Sequence, residues 1–332
     1  MAAHLPNLAT CRKIGFIVPS SNTALEPLTT ALLHSLPPSS SSNPQIIPLF
    51  TRIRVTTVGT DPTSTSQFSP QTLIAAAQLL ADAQADAILW NGTSGMWVGA
   101  GLEADRELAR LMAEATGVPC STTTLATVAA LEKLQVQKLG IAVPYPRGLA
   151  ERVREFFGTT GHGWEVVGLA TLEPVPGGNL AIAKTGLREI EEVVGRAAGG
   201  GAQAVVVGCT NWPAAPVIEK VEAVKDVMVI DSIVVTVWQG LRMVGYHDLV
   251  PGWGRLMAEV LYGRPWSLTR YTPGARPWTP QARVIGHSSQ PRGRCAAKVF
   301  VLAQPGHGLR PARSETSRSV QQNAHRNKAN AT

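Results

Sequence analysis

Ala85-Asp86-Ala87-Ile88-Leu89-Trp90-Asn91-Gly92-Thr93-Ser94 aligns without a gap on Ala202-Gln203-Ala204-Val205-Val206-Val207-Gly208-Cys209-Thr210-Asn211, at a constant offset of 117 positions (209 − 92). Each copy is a short apolar run that breaks off into small and hydroxyl-bearing residues. That is the pattern of a buried parallel strand delivering polar groups at its carboxyl end. One position separates the copies chemically: glycine stands at 92 where a thiol stands at 209. A twofold fold with one reactive sulfur performs only part of the chemistry open to a symmetric pair.

The duplication extends outward from this pair. Lys13-Ile14-Gly15-Phe16-Ile17-Val18-Pro19 answers Lys138-Leu139-Gly140-Ile141-Ala142-Val143-Pro144, a strand closed by proline in both halves. Ser69-Pro70 followed by Leu73, Ala76, Ala77 and Leu80 predicts a capped helix with proline in its first turn. Residues 102–116 predict another, stopped by Gly117. Residues 149–157 and 185–198 repeat the arrangement in the second half. Further strands are expected at 118–121 and 227–231, each followed by a helix, at 123–133 and 233–244. Strand–helix alternation of this kind gives an α/β fold: two pseudo-symmetric, Rossmann-like (flavodoxin-like) parallel-sheet lobes with the active site in the cleft between them. The expected boundaries are 12–122 for the first lobe, completed by 236–282, and 123–235 for the second. Pro37 to Ser42 predicts a surface loop, and 60–69 a flexible segment.

Of the 332 residues, 44% are hydrophobic and 16% charged, which suits a sizeable core. No apolar run approaches the ~20 residues of a membrane helix, and the N-terminus lacks a secretory pattern. Cys11, Cys120, Cys209 and Cys295 are scattered, without the spacing of a zinc site or a disulfide framework. A reducing, cytoplasmic setting follows. The net charge of +7 invites a nucleic-acid reading, but residues 283–332 hold nine Lys or Arg and a single acid. The excess therefore sits in a polar tail expected to be disordered, and neither nucleic acid nor membrane is expected as a partner. Nothing in the spacing of residues requires a metal or an organic cofactor.

Cys209 lies at a strand end ahead of a helix expected at 214–221, and a helix N-terminus lowers a thiol's pKa. A donor poised on one face is what protonation of an enediolate needs. Thr93 and Ser94, with the glycine-rich turn from Gly92 to Gly101, offer donors to a carboxylate or, alternatively, cap the helix that follows. Asn22 can donate its amide or form an Asx turn after Pro19. Tyr145 can donate a hydroxyl or simply close the core edge, and Thr210 stands beside the thiol. Cys120 is read as packing. Trp90, Trp97 and Trp212 either wall an aromatic pocket or fill the core.

Pro19-Ser20-Ser21-Asn22-Thr23, with Leu25-Glu26-Pro27, resembles the maleate cis–trans isomerase branch of the aspartate/glutamate racemase superfamily. Gly208-Cys209-Thr210-Asn211 resembles that superfamily's second cysteine motif, and Pro144-Tyr145 its tyrosine loop. The resemblance spans residues 12–270. Gly92-Thr93-Ser94 instead resembles the arylmalonate decarboxylases, which carry this triplet in place of the first cysteine. It implies that the hydroxyls of Thr93, Ser94 and Tyr145 bind one carboxylate as a dioxyanion hole while a second departs from an apolar pocket.

These readings combine into a cofactor-independent enzyme that acts on a small mono- or dicarboxylic acid through an enediolate, with Cys209 as its single thiol. Arylmalonate-type decarboxylation needs one protonation and suits one sulfur. Maleate-type isomerisation by thiol addition, Asp/Glu/hydantoin-type racemisation, and binding of a small acid without turnover stand beside it. Gly92→Cys is expected to restore the second proton-transfer face. A homo-oligomer is expected from family habit.

Overall fold

The repeated apolar runs fold as central strands of two parallel sheets. The computed structural model describes residues 8–37, 44–98 and 101–260, all within one folded unit, Met1–Tyr271. The strands are β1 (Arg12–Pro19), β2 (Ile46–Ile53), β3 (Ala87–Trp90), β4 (Cys120–Thr122), β5 (Lys138–Val143), β6 (Glu165–Thr171), β7 (Ala204–Val207) and β8 (Met228–Asp231). They form two four-stranded, all-parallel sheets in the orders β2-β1-β3-β4 and β6-β5-β7-β8. The two orders are the same order, which is the duplication seen in three dimensions.

Helices α1 (Leu25–His34), α2 (Pro62–Ser66), α3 (Pro70–Asp82), α4 (Gly101–Thr116) and α5 (Thr123–Lys133) accompany the first sheet in the chain. After β5 come α6 (Arg147–Thr159), α7 (Asn179–Ile182), α8 (Leu187–Ala197), α9 (Ile218–Lys225), α10 (Ser232–Met243) and α11 (Arg255–Glu259). The predicted caps do the predicted work. Ser69 Oγ accepts from the Thr72 N–H at 3.3 Å to start α3, and Gly117 ends α4 at φ +70°. Asp231 starts α10 by accepting from the Ile233 and Val234 N–H groups at 2.9 and 3.0 Å.

Two corrections follow from the structure. The segment at 60–69, expected to be flexible, contains α2, because Asp61 accepts from the Ser64 N–H at 3.0 Å ahead of Pro62. An Asp-Pro pair is a helix-start signal as well as a loop signal. Strands β2 and β6 are absent from the sequence reading. Both are edge strands with only partial burial, and β2 carries Pro48 and Arg52, so neither reads as a continuous apolar run. Of the expected 37–42 loop only Pro37 falls within the described residues, and the tail from 283 and the stretch 261–282 lie outside them. Among the described residues no helix is long and apolar enough to cross a membrane.

One hydrophobic core joins both sheets, running from Ile14, Phe16 and Leu89 through to Ile141, Val206 and Ile230. A second covers the other face of the first sheet with Ile17, Leu73, Ile88 and Trp90. Helix α10 leaves β8 of the second sheet yet packs against β3, α1 and α5 of the first half. Its Thr236 hydroxyl bonds Thr123 of α5 at 2.7 Å in a fully buried contact. The halves therefore share a core, and their strand ends are held in fixed relation.

Helix and sheet approach closely at Gly140, where a Cβ would stand 2.0 Å from the Ala197 carbonyl oxygen of α8. A backbone atom cannot rotate aside. Gly140→Ala is expected to cost about 3 kcal/mol, the upper end for overpacking, and to lower Tm by roughly 6–12 °C. Gly158→Ala, which meets no neighbour within 4 Å, should leave Tm unchanged or slightly raised. Thermal denaturation of the two variants checks the pair.

Candidate active site

Gly92 and Cys209 each stand two residues past the end of equivalent strands, β3 and β7. Together with Pro19 after β1 and Tyr145 after β5 they border a cavity of about 30 Å³, room for roughly two waters. Asn22, Thr93, Thr210 and Asn211 also line it, as do Val55, Val58, Phe68, Trp90, Trp97 and Asn179. None of these lining side chains is charged. The lining combines hydroxyl and amide donors with aliphatic and aromatic groups.

The two motif loops are tied by a pair of asparagines. Asn22 Nδ2 donates to Thr210 Oγ1 at 3.1 Å, while its Oδ1 accepts from the Ala24 and Leu25 N–H groups. Asn211 Oδ1 accepts from the Thr23 and Ala24 N–H groups at 2.9 and 3.3 Å, and its Nδ2 donates to the Asn179 carbonyl at 2.6 Å. Asn22 is thus both the Asx turn and a cavity-lining amide, with one of its two N–H hydrogens left over for other use. Arg52 braces the same loop from outside by donating to the Ser20 and Asn22 carbonyls.

Cys209 is 3% exposed. Burial pushes its thiol up to about 11, against the opposing pull of the Tyr145 hydroxyl and the Asn211 and Trp212 N–H groups, and the charge of Asp231 adds to the rise. This corrects the expectation of a thiol lowered by a helix N-terminus. The segment after Cys209 opens as a 3₁₀ turn only at Ala215, and α9 begins at Ile218, too far to offset desolvation. The sulfur holds its proton at neutral pH. Tyr145 is likewise raised well above its ordinary value by burial, and its hydroxyl lies 3.4 Å from Thr93 Oγ1. Thr93, Tyr145 and Cys209 form a continuous polar row.

The other half of the predicted triplet faces elsewhere. Ser94 lines a separate, larger chamber, and its Oγ accepts from Trp90 Nε1 at 3.2 Å in a buried bond. Trp90 also decides what Gly92 means. A Cβ at Gly92 would fall 2.3 to 2.8 Å from three atoms of the Trp90 indole. The missing side chain is replaced by the indole rather than by open space, so a side chain at 92 requires the Trp90 indole to shift.

Of the three tryptophans, Trp90 and Trp97 wall the cavity, and Trp212 is buried in the shared core. Phe68 packs edge-on to Trp97 at 5.5 Å between ring centroids, and Trp97 lies 6.4 Å from Tyr145. Cys120 stays outside the cavity with its thiol on the Val118 carbonyl. Asn179, Val55, Val58 and Phe68 were missed by sequence reasoning. The first three follow or precede the two edge strands and short helices that were also missed, and Phe68 sat in the segment read as flexible.

Residues 61–257 match the arylmalonate decarboxylase family. The chain is 28% identical to the maleate isomerase of Nocardia farcinica over 259 residues, covering 75% of this chain and 96% of that protein. It is 27% identical to the maleate isomerase of Geobacillus stearothermophilus over 251 residues, covering 74% and 97%. Among solved structures, a Nocardia farcinica maleate cis–trans isomerase variant with a covalently bound succinylcysteine intermediate superposes with a TM-score of 0.66 at 24% identity, covering 75% of this chain and 99% of that one. Arylmalonate decarboxylase superposes with a TM-score of 0.59 at 22% identity, covering 74% and 98%. At these identities the structural likeness establishes the fold.

Asn211→Ala would strip the Thr23 N–H and the Asn179 carbonyl of their partner, whereas the Ala24 N–H keeps Asn22 Oδ1. The expected cost is about 2–4 kcal/mol, since each orphaned group costs roughly 1–3. Asn179→Ala keeps that carbonyl and loses only the side-chain bond to Ser21 Oγ, so it should cost about 1 kcal/mol. Equal losses in urea unfolding would show that the clasp is not what joins the loops.

Proposed function

This chain belongs to the arylmalonate decarboxylase family, and from that premise we propose that it decarboxylates a substituted malonate-type diacid without a cofactor. One observation carries the reading: the cavity is lined by neutral donors, apolar groups and a single protonated thiol, with no charged side chain among them. Thr93 Oγ1 and the Tyr145 hydroxyl hold one carboxylate. The second carboxylate faces Val55, Val58 and Phe68, whose side chains offer no donor to replace its lost water. A desolvated carboxylate is destabilised relative to the neutral CO₂ it becomes.

The bond from the α-carbon to that carboxyl carbon breaks, CO₂ departs, and the electron pair spreads into the retained carboxylate as an enediolate. Fixed donors aimed at that charge are the largest catalytic term. Cys209 then passes its proton to the α-carbon from one face. The thiolate left behind keeps the Asn211 and Trp212 N–H groups as donors, and solvent returns the proton. The net reaction consumes one proton and releases one CO₂.

A second reading is maleate-type isomerisation, favoured by the corner that Asn22, Asn179 and Thr210 form beside the sulfur. There a second carboxylate would find donors, and Cys209 would add to the double bond. The raised thiol pKa opposes it, because addition needs the thiolate.

The full-length protein incubated in D₂O with methylmalonate, phenylmalonate, maleate, aspartate and a hydantoin separates the readings by NMR. CO₂ release with one deuterium at the α-carbon is expected. Cys209→Ala should lose at least about 10³-fold, and Thr93→Ala and Tyr145→Phe roughly 10²-fold each in kcat. Because the donor is the protonated thiol and its pKa stands near 11, kcat should be flat from about pH 6 to 9 and fall as pH approaches that value. Fumarate from maleate would establish the second reading, and saturable binding without product would establish a binding protein.

A further inference from the structure

Behind the Trp90 indole lies an apolar chamber of about 380 Å³, bounded by Pro62, Thr65, Leu73, Ala104 and Leu108. Trp90 and Phe68 line both this chamber and the cavity at Cys209, with ring centroids 6.1 Å apart. The two rings are the partition between a nearly filled site and a roomy neighbour. An apolar cavity of ~150 Å³ is enough to bind benzene, so the chamber admits a phenyl ring with space remaining.

We propose that Trp90 is the specificity-determining residue of the site: its indole occupies the Gly92 face, restricts the substrate to small α-substituents, and closes off a latent aryl subsite behind it. This deepens the decarboxylase reading and rests on it. Three observations support the assignment. The indole stands 2.3 Å from where a Gly92 Cβ would project, so it fills the space that a side chain at 92 would take at the edge of the cavity. Its Nε1 is tethered to Ser94 at 3.2 Å, and Trp90 is 1% exposed, so it is held there by packing and a buried bond. The equivalent position in the second half, 117 residues on, is Val207, so the bulk is peculiar to the half without the thiol.

The chamber also selects its occupant. Asp105 lies in its wall, 4% exposed and bonded to Thr122 Oγ1 at 2.6 Å. A carboxylate entering there would meet that carboxyl group, whereas an uncharged ring meets mainly aliphatic and aromatic surface. The carboxylates therefore stay on the Thr93–Tyr145 side, and the aromatic substituent is the part that fits behind Trp90.

Trp90→Leu and the more conservative Trp90→Phe, made in the full chain, test this. The ratio of kcat/KM for phenylmalonate over methylmalonate is expected to rise at least tenfold in Trp90→Leu and less in Trp90→Phe. A ratio unchanged in both folded variants, with methylmalonate still turned over, would overturn the subsite and leave the reaction standing. If no malonate is turned over by any form, thermal shift with phenylacetate reads the subsite alone. Stabilisation of Trp90→Leu but not of the parent would support the subsite while the reaction reading fails, and equal shifts would overturn the subsite. A stability cycle covers poor folding of the leucine variant: Gly92→Ala should lower Tm in the parent and do so far less beside Trp90→Leu or Trp90→Phe. Equal losses in all backgrounds would mean that the indole does not fill that face.

Discussion

Two buried asparagines, one from each half of the duplication, hold the motif loops against each other. Asn22 reaches Thr210, and Asn211 reaches back to the Thr23 and Ala24 backbone. Both are almost fully buried, so each bond is made where water cannot substitute for it and where its loss leaves an orphaned polar group. This clasp holds the sulfur and the Tyr145 hydroxyl of the second half against the Thr93 hydroxyl of the first. The shared core, with α10 crossing from β8 to pack on β3, sets the coarse position of the lobes, and the asparagines set the fine one.

The cavity so formed sits where two effects on the thiol oppose each other. Backbone N–H groups and the Tyr145 hydroxyl favour the thiolate, but burial outweighs them and keeps the proton on sulfur. A proton donor benefits from this balance. The acid form dominates at neutral pH, while the groups that stabilise the anion are already in place for the moment it forms. The same burial that raises the thiol also removes solvent from the apolar wall facing it, so acidity control and carboxylate destabilisation arise from one physical cause.

Three of the seven differences between the two ten-residue copies bear on the cavity. Glycine replaces cysteine at 92, tryptophan stands at 90 against valine at 207, and serine at 94 answers asparagine at 211. These changes are coupled by geometry. A Cβ at Gly92 would lie 2.3 Å from the Trp90 indole, so the bulk of Trp90 and the missing Cβ of Gly92 compete for one volume. Ser94 then serves as the acceptor that fixes the indole. Of the two hydroxyls in a triplet that resembles a dioxyanion hole in sequence, only that of Thr93 belongs to a residue lining the cavity at Cys209.

The α/β architecture, the pairing of halves, the main helix caps and the Gly92–Cys209 asymmetry were legible in the linear chain, because central parallel strands are buried on both faces and read as unbroken apolar runs ending in polar groups. Edge strands β2 and β6 were not, since half-exposed strands lose that contrast, and the cavity walls they lead into were lost with them. The direction of the Cys209 pKa, the turning away of Ser94 and the filling of the Gly92 face by Trp90 depended on tertiary structure. Each is settled by which atoms crowd a point in space, and desolvation and steric exclusion come from residues far apart in sequence.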